Sequence, residues 1–291
     1  MFKGSFVALI TPFRNGKVDE TAFQEHVAWQ LGQGTHGLVP IGTTGECPAL
    51  EDQEQERLIS LTVEVARGRA PVIPGTGFNS TAHTIHATKA AKKAGADAAL
   101  VVCPYYNKPT QEGLYQHFKA VHDAVDMPIV IYNIPGRTSV DMSNATLARL
   151  AKLPNIVGVK DSTNDLSRVT KLRIEVGEKF SMLSGEDGTA VGFLAQSGDG
   201  CISVTANVAP ALCSEMHEAW QKGDVATVRR INERLMPLHE ALFVETSPAP
   251  VKYAASLLGR CTPEVRLPLW ETTPATQEKV RGAMRGAGLL N

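Results

Sequence analysis

The sequence predicts an α/β protein, a (β/α)8 barrel with a C-terminal helical extension. Three observations predict it. Eight short apolar, β-branched runs recur, at 6–13, 37–42, 71–77, 98–106, 128–135, 156–162, 180–185 and 200–206, their starts 20 to 34 residues apart. Continuous apolar runs suit parallel strands buried on both faces. Amphipathic helical patterns fill the intervals, and eight such units fit the ~250 residues usual for this barrel. The third observation excludes the main alternative. A doubly wound sheet advertises G-x-G-x-x-G after its first strand, whereas this chain reads Thr11-Pro12-Phe13-Arg14-Asn15, and Gly75-Thr76-Gly77 lacks the third glycine.

The helical segments follow in order. Leu58, Leu61 and Val65 form one apolar stripe, with Glu51, Glu54 and Glu56 in the exposed first turns. Leu166, Val169, Leu172 and Val176 form another, with Asn164 as the expected N-cap. After about residue 222 the pattern is purely helical. Val228, Ile231, Leu235, Leu238 and Leu242 keep helical spacing, Pro237 is expected to kink that helix, and a last helix is expected after Thr273-Pro274. The expected division is therefore a barrel over 1–222 and a helical extension over 223–291.

Composition narrows the function. Of 291 residues, 43% are hydrophobic and 20% charged, which excludes a disordered scaffold. Lys plus Arg is 29 against 30 for Asp plus Glu, so there is no basic footprint for nucleic acid or an anionic membrane. The longest apolar run, 98–103, is far short of the ~20 residues of a membrane span. The first apolar run ends at Thr11-Pro12 and does not make a signal-peptide core. Five cysteines without a C-x-x-C argue for reduced thiols rather than disulfides or a zinc knuckle. The expectation is a soluble cytoplasmic protein with a small-molecule partner.

Active sites of such barrels sit at the C-terminal ends of the strands. There the sequence places Thr43, Thr44 and Glu46, Tyr105 and Tyr106, Tyr132, Asn133 and Arg137, Lys160 and Asp161, Gly185 and Glu186, and Ile202 and Ser203. Lys160 ends Ile156-Val157-Gly158-Val159-Lys160, and alternation would put it on one face with Ile156 and Gly158. In the lumen, desolvation would lower its pKa and free the amine to attack a carbonyl. At a surface it would be an ordinary lysine. Tyr132 ends the preceding strand and could exchange protons beside Lys160, or merely pack there. The Gly42–Glu46 turn could form an anion nest for a carboxylate, and it is not a P-loop. Arg137 could fork onto a second carboxylate, or be a surface arginine. His83 and His86 lack a third ligand and read as a solvated helix face rather than a metal site. Met127, Met142 and Met182 read as gap-fillers in the core.

Together these motifs resemble the dihydrodipicolinate synthases, within the class I pyruvate aldolases and N-acetylneuraminate lyases. The match rests on Gly37-Leu38-Val39-Pro40-Ile41-Gly42-Thr43-Thr44-Gly45-Glu46, on Tyr132-Asn133-Ile134-Pro135-Gly136-Arg137-Thr138, and on Val157-Gly158-Val159-Lys160-Asp161-Ser162. The 28-residue spacing of Tyr132 and Lys160 fits it too. So do the segments at 104–109, 183–187, 202–207 and 234–238.

The resemblance implies condensation of pyruvate with L-aspartate 4-semialdehyde to 4-hydroxy-tetrahydrodipicolinate, a step toward diaminopimelate and lysine. It implies a Schiff base on Lys160, a proton relay of Thr44, Tyr132 and Tyr106, and pyruvate binding by Thr43, Thr44, Gly185 and Ile202. Arg137 would hold the semialdehyde carboxylate. No metal or dissociable cofactor is implied. A homotetramer built from tight dimers is implied, with Tyr106 lent by the neighbouring subunit. Related sugar-acid aldolases generally lack an arginine at Arg137 and carry Ser-Thr at Thr43-Thr44, and a non-catalytic barrel would be expected to have lost one of these groups. In lysine-inhibited relatives the effector site matches Cys47, Pro48, Asp52, Gln55, Asn79, His83 and Tyr105. The inhibited pattern has glutamate at His83, histidines at Asp52 and Gln55, and usually serine at Cys47. Asn79 and Tyr105 fit its carboxylate-binding pair. The expectation is weak or absent lysine inhibition.

Overall fold

A computed structural model describes residues 1–291. The succession of strands and helices is that of the (β/α)8 class, followed by further helices. By their contacts the residues form two compact units, one of residues 4–70 and 203–291, the other of residues 1–3 and 71–202.

In the first unit, β1 (Gly4–Ala8) lies parallel to β4 (Gly37–Val39), pairing Phe6 with Gly37 and Ala8 with Val39. A side chain at Gly37 would sit 2.0 Å from the Phe6 ring, so the pairing requires glycine there. The expected strand over 6–13 stops at Ala8. Its end becomes a small hairpin of β2 (Phe13–Arg14) and β3 (Lys17–Val18) around Asn15-Gly16. Both turn residues have positive φ, 54° and 78°, as a tight two-residue hairpin turn demands. Helix Asp52–Ala66 buries Leu58 and Leu61, leaves Val65 half-buried, and has Glu54 accepting from the Glu51 N–H at its start. Helix Val225–Ala241 buries Val228, Ile231, Leu235 and Leu238, with Pro237 inside it. Helix Pro274–Gly286 is capped by the Thr273 side chain. The tail is less uniformly helical than its pattern suggested. Helix Ala249–Leu257 ends two residues before Gly259, and 258–273 is irregular, broken by Gly259, Pro263 and Pro268.

In the second unit, β5 (Ala99–Val102), β6 (Ile129–Asn133), β7 (Ile156–Asp161), β8 (Ser181–Ser184) and β9 (Gly200–Ser203) pair in parallel in the order β9-β8-β7-β6-β5. The run at 71–77 forms isolated bridges rather than a strand, among them Gly75 to Leu100, where Thr76 N–H and Leu100 N–H both bond across. Pro71 and Pro74 lack the N–H groups a full ladder needs. Phe118, Leu147, Leu150, Val169 and Leu172 of the helices pack on Ile129, Ile131, Val159 and Met182 of the strands, with Met127 and Met142 in the same core.

Two local expectations are corrected. A register shift between Ile129 and Val130 leaves Val157 unpaired, and Ile156 joins Val159 in the helix-side core, so Lys160 shares its face with Gly158 but not Ile156. Helix Ser167–Val176 has Leu166 at its N-cap, without a side-chain cap, and Asp165 one residue earlier accepts from Ser167 N–H at 3.0 Å. Asn164 has left-handed backbone (φ 61°) and binds the Thr189 hydroxyl instead. No helix is long and apolar enough to cross a membrane.

Candidate active site

Lys160 and Tyr132 are register partners at the ends of β7 and β6. Both are buried, and the Lys160 Nζ stands 4.1 Å from the centroid of the Tyr132 ring. The surface reading of Lys160 therefore fails. Its stem passes Gly185, where a Cβ would fall 2.9 Å from Lys160 Cε and 1.9 Å from Ser162 Oγ. Gly185 is thus the vacancy that admits the lysine, and its N–H bonds the Asp161 carbonyl at 2.8 Å. Ile202 is buried in β9, and Leu183 of β8, a register partner of Lys160, pairs with Gly200 of β9.

Burial raises the Glu186 carboxyl above its ordinary range, with the Lys160 charge opposing the rise and Asp187 adding to it. The Arg137 charge also favours the ionised form. Glu186 was placed at a strand end by the sequence, but only its environment marks it as a group beside the lysine.

The residues that follow Tyr132 and Lys160 point the other way and are tied together. Asn133 Nδ2 donates to Asp141 at 2.7 Å, and its Oδ1 accepts from Met142 N–H at 3.1 Å. Arg168 Nη1 binds both Asp141 oxygens at 2.9 and 3.1 Å and its Nε lies 3.4 Å from Asp161. Asp161 also accepts from the Thr163 N–H and hydroxyl. Arg168 and Asp141 carry no strand-end signature, so strand-based reasoning missed them. The chain passes from Asn133 into the short helix Pro135–Thr138, which presents Arg137 on its exposed side.

Tyr106 is 89% exposed and has φ 72°, a strained conformation for an aromatic residue. The structure places it on an exposed loop, with Asn107 bonded to the Asn79 carbonyl at 2.8 Å. His83 stacks on Phe78, their ring centroids 3.9 Å apart and 6° from parallel. Tyr105 is half-buried on the same loop as Tyr106.

In the first unit, Thr43 and Thr44 lie in the turn after β4. Three amides of this turn are used internally: Gly45 and Cys47 N–H bond the Gly42 carbonyl, and Glu46 N–H bonds the Thr43 carbonyl. Ile41 and Glu46, at either end, have φ 49° and 56°. A β-branched residue held there is strained by on the order of 1–3 kcal/mol, which marks a constrained segment. A Cβ at Gly45 would fall 3.0 Å from the Leu9 carbonyl, tighter than an ordinary contact, and the Gly45 carbonyl accepts from Thr11 Oγ1 at 2.7 Å.

Glu46 is a scaffold residue. It accepts from Lys252 Nζ at 2.7 Å and from Arg266 N–H at 2.9 Å. Of the other positions that the resemblance matched to an effector site, Gln55 donates to the Cys47 and Leu50 carbonyls at 3.3 and 3.1 Å, so its amide closes the turn Cys47–Ala49. Burial, with the Asp52 charge adding, pushes the Cys47 thiol up to about 12. Asp52 itself is exposed.

A buried strand-end lysine beside a tyrosine, in a chain of this class, fits a lyase of the class I aldolase kind. The comparisons narrow the class. The model of the Dihydrodipicolinate synthetase family matches residues 1–287. The chain is 67% identical to a 4-hydroxy-tetrahydrodipicolinate synthase of Rhodospirillum centenum, over all of both chains. It superposes on a dihydrodipicolinate synthase of Aquifex aeolicus at a TM-score of 0.97, with 46% identity over 99% of each chain. It also superposes on that of Acinetobacter baumannii complexed with pyruvate, at 0.97 and 45% over both whole chains. The chain belongs to the dihydrodipicolinate synthetase family, and its fold is the (β/α)8 barrel with C-terminal helices.

Proposed function

We propose that this chain condenses pyruvate with L-aspartate 4-semialdehyde to form 4-hydroxy-tetrahydrodipicolinate in the cytoplasm. The observation that carries the reading is the buried Lys160 amine against the Tyr132 ring. The Lys160 amine adds to the pyruvate ketone, and loss of water gives an imine that acts as the electron sink, with no external cofactor required. Removal of a methyl proton gives an enamine whose carbon attacks the semialdehyde. The semialdehyde amine then displaces Lys160 during ring closure.

Tyr132, Thr44 and Tyr106 carry protons through these steps. The Thr43 and Thr44 N–H groups, with the Thr43 hydroxyl beside them, receive the pyruvate carboxylate, since the other amides of the turn are spent. Gly185 and Ile202 shape the pocket, and Arg137 holds the carboxylate of the second substrate. A homotetramer of tight dimers suits the exposure of Tyr106, which would reach a neighbouring site. In this reading residues 1–222 form the catalytic barrel and 223–291 the extension.

The test is incubation with pyruvate, borohydride reduction and peptide mapping, followed by assay with the semialdehyde and with sugar acids. One reduced pyruvyl group on Lys160 and turnover of the semialdehyde are expected. A label on another lysine, or preference for a sugar acid, overturns the reading.

A further inference from the structure

The turn bearing Thr43 and Thr44 is held from behind by a buried ion pair that takes no direct part in the chemistry. Glu46 and Lys252 are 2% and 0% exposed, and the Glu46 carboxylate has both oxygens engaged, one by Lys252 Nζ and one by Arg266 N–H. Lys252 Nζ also lies 4.1 Å from the Phe13 ring centroid. The Arg266 side chain continues the clamp: it binds the Ala49 carbonyl at 2.9 Å and both oxygens of Glu54 at 2.6 Å. The left-handed backbone at Glu46 is thus fixed through its own side chain, immediately after the turn. Burying two charges is costly, and hydrophobic replacements of similar volume are often as stable. Stability is therefore a weak reason for this pair, and geometry is the stronger one.

We infer that Glu46 and Lys252 are positioning residues that hold the Thr43–Thr44 turn in the shape that receives the pyruvate carboxylate. The inference rests on the assignment of that turn to pyruvate. Small misplacements of a binding group cost rate and affinity out of proportion to their size. The effect is specific to one substrate, because the amine and the site for the second carboxylate are built on other segments.

The test measures Lys252→Met and Glu46→Gln, singly and together, with Lys252→Arg as the conservative variant. The readouts are the pyruvate concentration for half-maximal borohydride trapping and the KM of each substrate. Lys252→Met is expected to raise the pyruvate values by about tenfold. Trapping should still saturate at one group per chain, and the semialdehyde KM should stay within about twofold. Lys252→Arg should recover part of the loss, and the double variant should be less impaired than the product of the single effects. Should Lys252→Met fail to fold, Glu46→Gln, which keeps volume and hydrogen bonding, carries the same expectation at smaller size.

A folded variant with lowered melting temperature and unchanged pyruvate values overturns the positioning role, as does an equal rise for both substrates. Thr43→Val separates the two readings. If it leaves pyruvate affinity unchanged, the assignment of the turn itself fails. If it weakens pyruvate while the Lys252 and Glu46 variants do not, only the positioning role fails.

Discussion

The Lys160 ammonium lies over the face of the Tyr132 ring, 4.1 Å from its centroid, because the two residues are register partners on adjacent parallel strands. The ring face attracts a cation, so the contact holds the lysine head group against the tyrosine. In the proposed reaction the Tyr132 phenol serves the proton transfers of imine formation.

Tyr132→Phe keeps the ring and removes the hydroxyl. The kcat is expected to fall by roughly 10²–10³-fold, the usual scale of acid–base catalysis. Trapping at Lys160 should persist at a reduced rate, and near-normal kcat would show that the hydroxyl only packs.

Gly185→Ala would place a methyl group 1.9 Å from Ser162 Oγ and 2.9 Å from Lys160 Cε. The lysine must leave its position, so borohydride trapping should fall by at least about tenfold, with a destabilisation of roughly 1–3 kcal/mol for overpacking. Trapping at the native rate would mean that the lysine has room the structure does not show.

Arg137→Ala should weaken use of the semialdehyde by about 10- to 150-fold, the value of a lost charge-assisted bond. Pyruvate trapping should change little, since Arg137 stands on the helix Pro135–Thr138, outside β6 and β7. Equal damage to both half-reactions would assign Arg137 a structural role.

Initial rate measured against L-lysine should show little or no inhibition. His83 stacks on Phe78 and the Gln55 amide is committed to backbone carbonyls, so neither offers the anion that an ammonium needs. Strong inhibition well below about 1 mM, roughly −4 kcal/mol of binding, would contradict this.

Stability should decline as pH falls below about 6.5. Burial lowers the His26 pKa from 6.5 to about 4, against the opposing bond to Asn207, with the Arg260 charge adding to the fall. The folded pKa is depressed, so the unfolded chain binds more protons between those values. The contribution is complete above the unfolded pKa and is lost as pH drops towards 4, on the order of 2 kcal/mol by pH 5. His117, also lowered to about 4 by burial, acts in the same direction. His26→Gln should flatten the dependence of the melting temperature on pH, and an unchanged slope would place the titration elsewhere.

The strand positions and the pairing of Tyr132 with Lys160 were legible because apolar runs and their spacing report parallel strands directly. The run at 71–77 misled, since an apolar composition says nothing of the N–H groups that Pro71 and Pro74 withhold. The hairpin at Asn15-Gly16 has a readable turn signal just beyond the apolar run 6–13, but its two-residue strands are too short to show alternation. Lys252, Arg266 and Arg168 were illegible for a different reason. Their partners lie far away in sequence, as with Lys252 and Glu46, and no local pattern records a contact of that kind.

Along β6 and β7 the chemistry and its fastening occupy neighbouring positions, Tyr132 beside Asn133 and Lys160 beside Asp161. Alternation sends one of each pair to the reactive side and the other to the Asp141–Arg168 network. A single-residue insertion or deletion within either strand end would therefore do more than shift the frame. It would exchange the two roles, turning the amide towards the substrate and the phenol towards the helices. A substitution there alters one group, whereas a change of length would misplace both.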